Sequence, residues 1–263
     1  MIMNSQQGQL RSATLEAHLD YYKEGGYPDD RLHWTVETFF QRENSGRLLE
    51  VGCGDGLLLR LISEKGLAVT GVDASMSGIE KCEKEGLHAL CLDVSTEGLP
   101  FPDDSFDFVV SLETIEHLMN PYHALQEVRR VLSNNGRFLC SVPNPRTGHP
   151  YLYPGLFEYK NFRLFLEQSA FTIERVVPWQ WAPRESILPR AFRGNAVLGS
   201  RWVAGSVRKF LEKSYLAVGK FPAFSYWLWN FDCRSQKSKD GDMFEAVSEQ
   251  TRPGSKRRFR VGS

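Results

Sequence analysis

One short segment of the sequence combines a carboxylate with closely spaced glycines. Residues 48–56 read LLEVGCGDG, so an apolar run holding Glu50 leads into three glycines on alternate positions, and a leucine-rich segment follows from Leu57. Glycine is needed at such a turn because a Cβ would hinder positive φ angles and the close approach of a ligand to the backbone. The segment therefore predicts a strand, a glycine turn and a helix, arranged to hold a nucleotide-like ligand.

The spacing of the glycines distinguishes between two kinds of ligand. The dinucleotide fingerprint is G-x-G-x-x-G, with a pyrophosphate at the helix N-terminus, but Leu57 stands where its third glycine belongs. Glu50 would also repel a pyrophosphate. A ligand with an ammonium group and no phosphates fits better, and S-adenosylmethionine is one. The pattern E-x-G-x-G-x-G resembles motif I of class I S-adenosylmethionine-dependent methyltransferases; the alternative is a tight turn without a ligand.

Two further acids follow apolar segments downstream of the glycines. Asp73 ends one of them about 20 residues after the loop, where an acid can accept hydrogen bonds from both ribose hydroxyls. Asp93 ends the next, where an acid can accept a hydrogen bond from the adenine amino group with Val94 against the ring. The alternative roles are a helix N-cap for Asp73, with Ser75 close by, and a solvated loop residue for Asp93.

A third informative segment is 106–113, which reads FDFVVSLE and is followed by IEHL at 115–118. It resembles the fourth strand and following loop of small-molecule methyltransferases related to those of ubiquinone and menaquinone biosynthesis, and residues 99–107 are typical of the same group. The resemblance covers about residues 45 to 180. It implies cofactor contacts at Glu50, Gly52, Cys53, Gly54, Gly56, Asp73, Ala74, Asp93, Val94 and Ser111.

The methyl group of a sulfonium is already a good electrophile, so positioning by itself supplies much of the rate. A hydroxyl acceptor gains further from a base that removes its proton. His117 is the candidate base because ligands bind at the carboxyl edge of open α/β sheets and an unperturbed histidine has a pKa of about 6.5. The alternative is a structural role within the Glu116-His117 pair. His149, Tyr151 and Tyr153, in the loop after the fifth strand, are further candidates.

The class of acceptor is narrowed by a missing motif. Methyltransferases that act on adenine or glutamine nitrogen carry an N-P-P-Y-like loop after the fourth strand, whereas residues 111–114 read SLET. Nucleobase and protein-amide acceptors are therefore disfavoured. The loop VPNP at 142–145 and the aromatic C-terminal extension resemble methyltransferases of bacterial polysaccharide and other glycan pathways. The resemblance implies O-methylation of a sugar hydroxyl or other small-molecule hydroxyl, with a quinone-precursor phenol as the second acceptor.

Composition excludes several other classes of protein. Lys+Arg and Asp+Glu both total 32, so the chain lacks the basic footprint of a nucleic-acid enzyme. The polar first residues lack a secretory signal, and no apolar run approaches the roughly 20 residues of a membrane helix. Five dispersed cysteines without C-x-x-C spacing favour reduced thiols in a cytoplasmic protein and argue against a zinc site.

Alternating strand and helix patterns predict a doubly wound, mostly parallel α/β sheet of seven strands. The predicted parts of the chain are a helical N-terminal segment (1–44), a cofactor-binding core (45–180), an aromatic and basic cap with the last strand (181–234), and a disordered tail (235–263). The predicted strands are 48–51, 68–72, 88–92, 106–111, 136–142, 171–176 and 224–233, and the predicted core helices are 57–65, 77–85, 121–132 and 161–169.

Three points stay open at this stage. Residues 201–230 hold many basic and aromatic side chains, which indicates core packing, a lid, or a surface in peripheral contact with a membrane. An oxidoreductase with a nicotinamide cofactor is an alternative function, although Leu57 argues against it. A methyltransferase-like binding protein without turnover is the other alternative, because an intact cofactor motif predicts binding and not catalysis.

Overall fold

The computed structural model describes residues 29–145, 152–181 and 226–237. Seven strands in these residues form one sheet, in the order β3-β2-β1-β4-β5-β7-β6. The strands are β1 (Arg47–Val51), β2 (Ala68–Asp73), β3 (Ala89–Cys91), β4 (Phe106–Leu112), β5 (Leu132–Pro143), β6 (Phe171–Trp181) and β7 (Tyr226–Ser235). The helices are α1 (Asp29–Phe39), α2 (Leu57–Ser63), α3 (Met76–Lys84), α4 (Pro121–Val131) and α5 (Tyr159–Gln168). The predicted doubly wound fold is confirmed.

Helices cover both faces of the sheet. Successive side chains of a strand point to opposite sides, so the sheet has an apolar face on each side for helices to bury. In β4, Val109 packs in one apolar cluster with α4 and α5. Its neighbour Val110 packs in a second cluster with α1, α2 and α3. Each helix therefore buries one apolar face against the sheet, which is the arrangement that a mostly parallel sheet requires.

The order of the strands creates a switch point at the centre of the sheet. The chain runs from β1 outward to β2 and β3, then returns to the other side of β1 to form β4, and β1 pairs in parallel with both β2 and β4. Ligands of open α/β sheets bind at such a point, beside the carboxyl ends of the strands. The segments that end in Val51, Asp73 and Leu112 therefore meet at one edge.

Three strands differ from the predicted bounds by more than one residue. β6 ends at Trp181 where 176 was predicted. β5 begins at Leu132 and not at residue 136, and its pairing with β4 jumps from Phe106–Leu132 to Phe108–Arg137. The Asn-Asn-Gly turn lies inside this irregularity, where Asn135 has a φ of 59°. β7 spans 226–235 where 224–233 was predicted, and it runs antiparallel between β5 and β6.

A buried ionic network connects the end of α1 to β5, β6 and β7. Arg137 on β5 donates to both carboxylate oxygens of Asp232 on β7, at 2.6 and 2.8 Å, and to the Phe39 carbonyl at 2.7 Å. Arg175 on β6 donates to the same carboxylate at 2.7 Å and lies over the Phe39 ring. The two guanidiniums lower the pKa of Asp232 against the effect of its burial, so the end of α1 is held by charge-assisted bonds.

Much of the predicted cap and tail lies outside the described residues, as do residues 1–28. Of the segment 201–230, only residues 226–230 are described, and Leu228, Trp229 and Asn230 are buried within β7. No described helix is both long and apolar enough to cross a membrane. Within the described ranges, no cluster of His, Cys, Asp and Glu side chains is suited to hold a metal ion.

Candidate active site

The glycine loop between β1 and α2 requires glycine for two separate reasons. Gly52, Gly54 and Gly56 have φ angles of 82°, 54° and 81°, in the left-handed region that side chains disfavour. A Cβ on Gly52 would also overlap the Thr114 side chain, and one on Gly56 would lie 2.8 Å from the Cys82 sulfur. The loop is therefore closely packed on its protein side and lacks side chains at its alternate positions.

Asp73 at the end of β2 connects this loop to α3. Its Oδ2 accepts from the Gly54 amide and its Oδ1 from the Ser75 amide, both at 2.8 Å. The N-cap of α3 is Ser75, whose hydroxyl oxygen accepts from the Gly78 amide. A carboxylate has about four acceptor sites, so Asp73 can hold the loop and still accept from ribose hydroxyls.

Asp93 follows β3 at the same edge of the sheet and is half-buried. Its Oδ1 accepts from the Ser95 amide at 2.9 Å and from the Ser95 hydroxyl at 2.5 Å. Its Oδ2 is therefore the oxygen available for an adenine amino group. Val94 is buried in the core and Ala74 is half-buried beside Asp73.

Glu50 is a buried acid next to the glycine loop. Its side chain is 4% exposed, and its Oε2 has no hydrogen-bond partner among the described residues. Burial raises its pKa well above the usual range, the nearby Cys82 and Asp73 add to the effect, and Arg31 opposes it. An unpaired buried carboxylate is costly, so a cationic ligand group at this place would be strongly favoured.

Ser111 and Glu113 lie at the end of β4, the strand next to β1 in the sheet. Ser111 is fully buried and its hydroxyl also has no hydrogen-bond partner among the described residues. Glu113 has a φ of 49°, and its amide donates to the Ser141 carbonyl at 3.0 Å. This sharp turn brings Thr114 against Gly52. The loop after β4 thus packs directly on the glycine loop.

His117 lies in the same loop, at the end of a short 3-10 turn formed by Ile115–His117. Its side chain is 13% exposed, and its Nε2 lies 3.7 Å from Oε1 of Glu116. Burial raises the pKa of Glu116 well above its usual range. The structure therefore places His117 three residues beyond the contact with Gly52, next to a buried carboxyl, and its role as a base stays a prediction.

Tyr153 is the one aromatic candidate of the loop after β5 that belongs to the described residues; His149 and Tyr151 lie outside them. Its hydroxyl donates to the Met119 carbonyl at 2.9 Å, and its side chain is 42% exposed. This bond connects the loop after β5 to the loop after β4. Tyr153 thus links the two loops through its hydroxyl.

Two residues near this site were not predicted from the sequence. Arg31 on α1 forms a buried ion pair with Glu113, although it precedes the region that carries the resemblance. Thr114 covers Gly52. The sequence offered no local signal for Arg31, because its partner is 82 residues away, whereas Thr114 could have been considered from its place directly after the fourth strand.

These residues fit S-adenosylmethionine on the evidence of their own contacts. Glu50 presents a buried, unpartnered oxygen that suits the ammonium group of the cofactor. The loop from Gly52 to Gly56 has no side chain at its three glycines, Asp73 lies beside it at the end of β2, and Asp93 keeps one oxygen for the adenine. The site thus offers acceptors for each polar end of the cofactor.

Residues 49–140 match the family described as methyltransferase domain. A solved structure of an S-adenosylmethionine-dependent methyltransferase from Archaeoglobus fulgidus superposes with a TM-score of 0.58, at 18% identity, over 82% of this chain and all of that one. The superposition shows that the two chains share a fold, and residues 49–140 are similar to a methyltransferase domain.

Two curated relatives are similar over the same part of the chain. The ubiquinone biosynthesis O-methyltransferase of Cereibacter sphaeroides is 33% identical over 102 residues, which is 37% of this chain and 41% of the relative. The 27-O-demethylrifamycin SV methyltransferase of Amycolatopsis mediterranei is 32% identical over 110 residues, 38% of this chain and 40% of the relative. The matches thus span about two fifths of these relatives.

Proposed function

We propose that the protein transfers the methyl group of S-adenosylmethionine to a hydroxyl oxygen of a small molecule or a glycan. The observation that carries this proposal is the buried Glu50 carboxyl with its unpartnered oxygen, at the entrance of a loop of left-handed glycines. A buried acid without a partner is favourable only when a cationic group completes it. The two relatives named above are O-methyltransferases, which supports an oxygen acceptor.

The cofactor would be held by residues at the ends of three strands, β1, β2 and β3. It supplies a methyl group that is already activated by the sulfonium. Glu50 accepts from its ammonium group, and the backbone from Gly52 to Gly54 allows its close approach. Asp73 accepts from the ribose hydroxyls and Asp93 from the adenine amine. Since both acids are fixed by backbone amides, they orient the cofactor with little loss of side-chain freedom.

The acceptor side is formed by the loops that follow β4 and β5. Positioning the acceptor oxygen and excluding water supplies much of the rate. His117 removes the proton of the acceptor hydroxyl in this proposal, with the carboxyl of Glu116 at 3.7 Å. The hydrogen bond from Tyr153 to Met119 fixes the two loops to each other.

Two acceptor classes are open to the proposed reaction. A sugar hydroxyl is the first, because the loop after β5 and the aromatic extension resemble those of glycan methyltransferases. A phenol of a quinone-type pathway is the second, and the similarity to the ubiquinone biosynthesis O-methyltransferase favours it. That similarity is limited to 37% of this chain. It therefore supports the proposed cofactor more strongly than the proposed acceptor.

The deciding experiment combines cofactor binding with methyl transfer. Titration calorimetry with S-adenosylmethionine is compared for the wild type, Asp73→Ala and the exposed control Glu80→Ala. Loss of charge-assisted bonds of about 1.5–3 kcal/mol each predicts at least tenfold weaker binding for Asp73→Ala and no change for Glu80→Ala. Unchanged binding by Asp73→Ala would remove Asp73 from the site.

Labelled cofactor is then offered with sugar nucleotides, lipid-linked glycans and phenols. Label on an oxygen of one class identifies the acceptor class. Binding of the cofactor without transfer to any acceptor would contradict the proposed activity and favour a binding protein without turnover. A nicotinamide cofactor that binds in place of S-adenosylmethionine would contradict the proposal altogether.

A further inference from the structure

Two cysteine sulfurs lie together beneath the glycine loop. Cys53 belongs to the loop itself, and Cys82 is on α3, which packs against it. The Cys82 sulfur donates to the Gly54 carbonyl oxygen at 3.5 Å, and the Cys53 sulfur lies 4.0 Å from the same oxygen. Each thiol is also the largest single influence on the pKa of the other. The pair is therefore a dithiol directly under the backbone that would hold the cofactor.

Glycines leave the room that these sulfurs occupy. A Cβ on Gly56 would lie 2.8 Å from the Cys82 sulfur, and a Cβ on Gly71 would lie 2.6 Å from the Cys53 sulfur. The pair is almost completely enclosed, with Cys53 6% exposed and Cys82 not exposed. Cys53 belongs to the loop itself, so a local opening of the loop would admit a molecule of the size of hydrogen peroxide.

We propose that Cys53 and Cys82 are a redox modification site, at which peroxide links the two sulfurs into a reversible disulfide that deforms the cofactor loop. The formation of the disulfide is independent of the function proposed above. Its effect on cofactor binding rests on that function. All five cysteines are free thiols in the structure, which is the reduced state of this site.

The chemistry requires one thiolate, one thiol and one peroxide. The neighbouring Cys53 lowers the pKa of Cys82, whereas Cys82 and burial raise the pKa of Cys53. The Cys82 thiolate attacks one peroxide oxygen, the O–O bond breaks, the departing hydroxide takes up the proton that Cys82 released, and a sulfenic acid and one water form. The Cys53 thiol then attacks the sulfenic sulfur, the S–O bond breaks and a second water leaves. Two thiols are oxidised and one peroxide is reduced.

The disulfide would change the shape of the loop. A disulfide brings the sulfurs to about 2.05 Å with a restricted dihedral angle, closer than hydrogen-bonded thiols. The Cys82 sulfur would lose its bond to the Gly54 carbonyl, and the loop would move at the residue whose amide donates to Asp73. We therefore expect weaker cofactor binding in the oxidised protein and full recovery on reduction.

The experiment treats the full chain with hydrogen peroxide and measures the intact mass and a peptide map. The wild type and the exposed-thiol variant Cys91→Ser are expected to lose about 2 Da, as one intramolecular disulfide requires, and the map is expected to contain a Cys53–Cys82 linked peptide. Cys82→Ser is expected to form no such link. The linked peptide is sought in the wild type, so this result does not depend on the folding of a variant.

Calorimetry then measures binding of S-adenosylmethionine before oxidation, after oxidation and after reduction. We expect at least a tenfold loss on oxidation, recovery with dithiothreitol, and no effect of peroxide on binding by Cys82→Ser. Absence of the linked peptide, or a linked protein that binds the cofactor unchanged, would overturn this proposal. Failure of the reduced wild type to bind the cofactor would instead contradict the proposed function, while the peptide map would still decide whether the dithiol reacts.

Discussion

Arg31 on α1 forms a buried ion pair with Glu113, the residue that directly follows β4. Glu113 has a positive φ, and the turn it makes brings Thr114 against Gly52. Arg31 also opposes the effect of burial on the pKa of Glu50. A helix outside the matched residues 49–140 therefore supports both loops of the candidate site and contributes the cation that balances its acids.

The first prediction concerns this ion pair. Arg31→Gln leaves Glu113 as an uncompensated buried charge, so we expect a loss of about 3–5 kcal/mol in the free energy of unfolding. We also expect weaker binding of S-adenosylmethionine, because the turn over Gly52 loses its support. Arg60→Gln is the matched control, because its pair with Glu85 is on the surface and contributes at most about 1 kcal/mol.

Denaturant unfolding of Arg31→Gln, Glu113→Gln and the double variant separates the pair from its surroundings. A direct pair predicts a coupling free energy of about 0.5–3 kcal/mol between the two single changes. Strictly additive losses, or an Arg31→Gln protein as stable as Arg60→Gln, would mean that the two side chains do not stabilise each other.

The second prediction is a pH dependence of cofactor binding through Glu50. Burial raises the pKa of this acid, with contributions from Cys82, Asp73 and Asp55, while Arg31 lowers it. The free protein therefore holds Glu50 protonated above the ordinary carboxyl range, and binding of an ammonium group requires the ionised form. We expect the affinity to rise with pH through this window and a proton to be released on binding. Calorimetry in buffers of different ionisation enthalpy measures that proton.

The same shift affects the stability of the free protein. The unfolded chain releases the Glu50 proton near a pKa of about 4.3, whereas the folded chain keeps it to higher pH. The folded state binds more protons in that window, so stability falls as the pH rises. Glu50→Gln should reduce this fall, leaving the part that Glu116 causes in the same direction. If affinity and stability vary with pH in the same way in the wild type and in Glu50→Gln, Glu50 is not the group that causes the pH dependence.

Sequence reasoning was most successful where a property is local. The apolar runs and the glycines at 52, 54 and 56 predicted strand ends, and parallel strands bring such ends to one edge, so the sheet could be anticipated. Ion pairs between residues far apart in the sequence could not be anticipated. Arg31 with Glu113, and Arg137 with Asp232, are 82 and 95 residues apart. No periodicity records which charge faces which, because such pairs depend on how helices dock on the finished sheet.

The start of β5 was missed for a related reason. The Asn-Asn-Gly sequence favours a turn, and Asn135 does adopt a left-handed conformation. The strand nevertheless continues on both sides of it, since Leu132 pairs with Phe106 and Arg137 pairs with Phe108. A turn signal can thus mark an irregularity within a strand and not its beginning.

The third prediction tests adenine recognition by Asp93. Its Oδ1 already accepts from Ser95, so Asp93→Ala leaves both the Ser95 amide and the adenine amine without an acceptor. At about 1–3 kcal/mol for each unpaired donor, we expect tenfold weaker binding or more. Asp93→Asn retains one acceptor oxygen and should lose less. Ser95→Ala is the control, because it removes a donor to Oδ1 and keeps both carboxylate oxygens. Wild-type affinity in both Asp93 variants would make Asp93 a loop residue without contact to the cofactor.

The last prediction concerns His117, in the 3-10 turn after β4. If it removes the proton of the acceptor hydroxyl, His117→Ala should keep its affinity for the cofactor and lose about 10²–10⁴-fold in turnover, the usual contribution of a positioned base. The turnover of the wild type should rise with pH as the base loses its proton. Tyr122→Phe is the matched control, since Tyr122 is exposed on the neighbouring helix α4 and should leave turnover unchanged.

A structural His117 leads to a different set of results. Its ring lies 3.7 Å from the buried Glu116 carboxyl, so its removal would then lower the melting temperature and change turnover little. The pH profile separates the two roles, because loss of a base abolishes the rise in turnover with pH, whereas loss of a packing contact leaves the profile intact. A folded His117→Ala enzyme with nearly full turnover on its acceptor would end the assignment, and the rate would then depend on how the loops after β4 and β5 hold the acceptor oxygen against the methyl group.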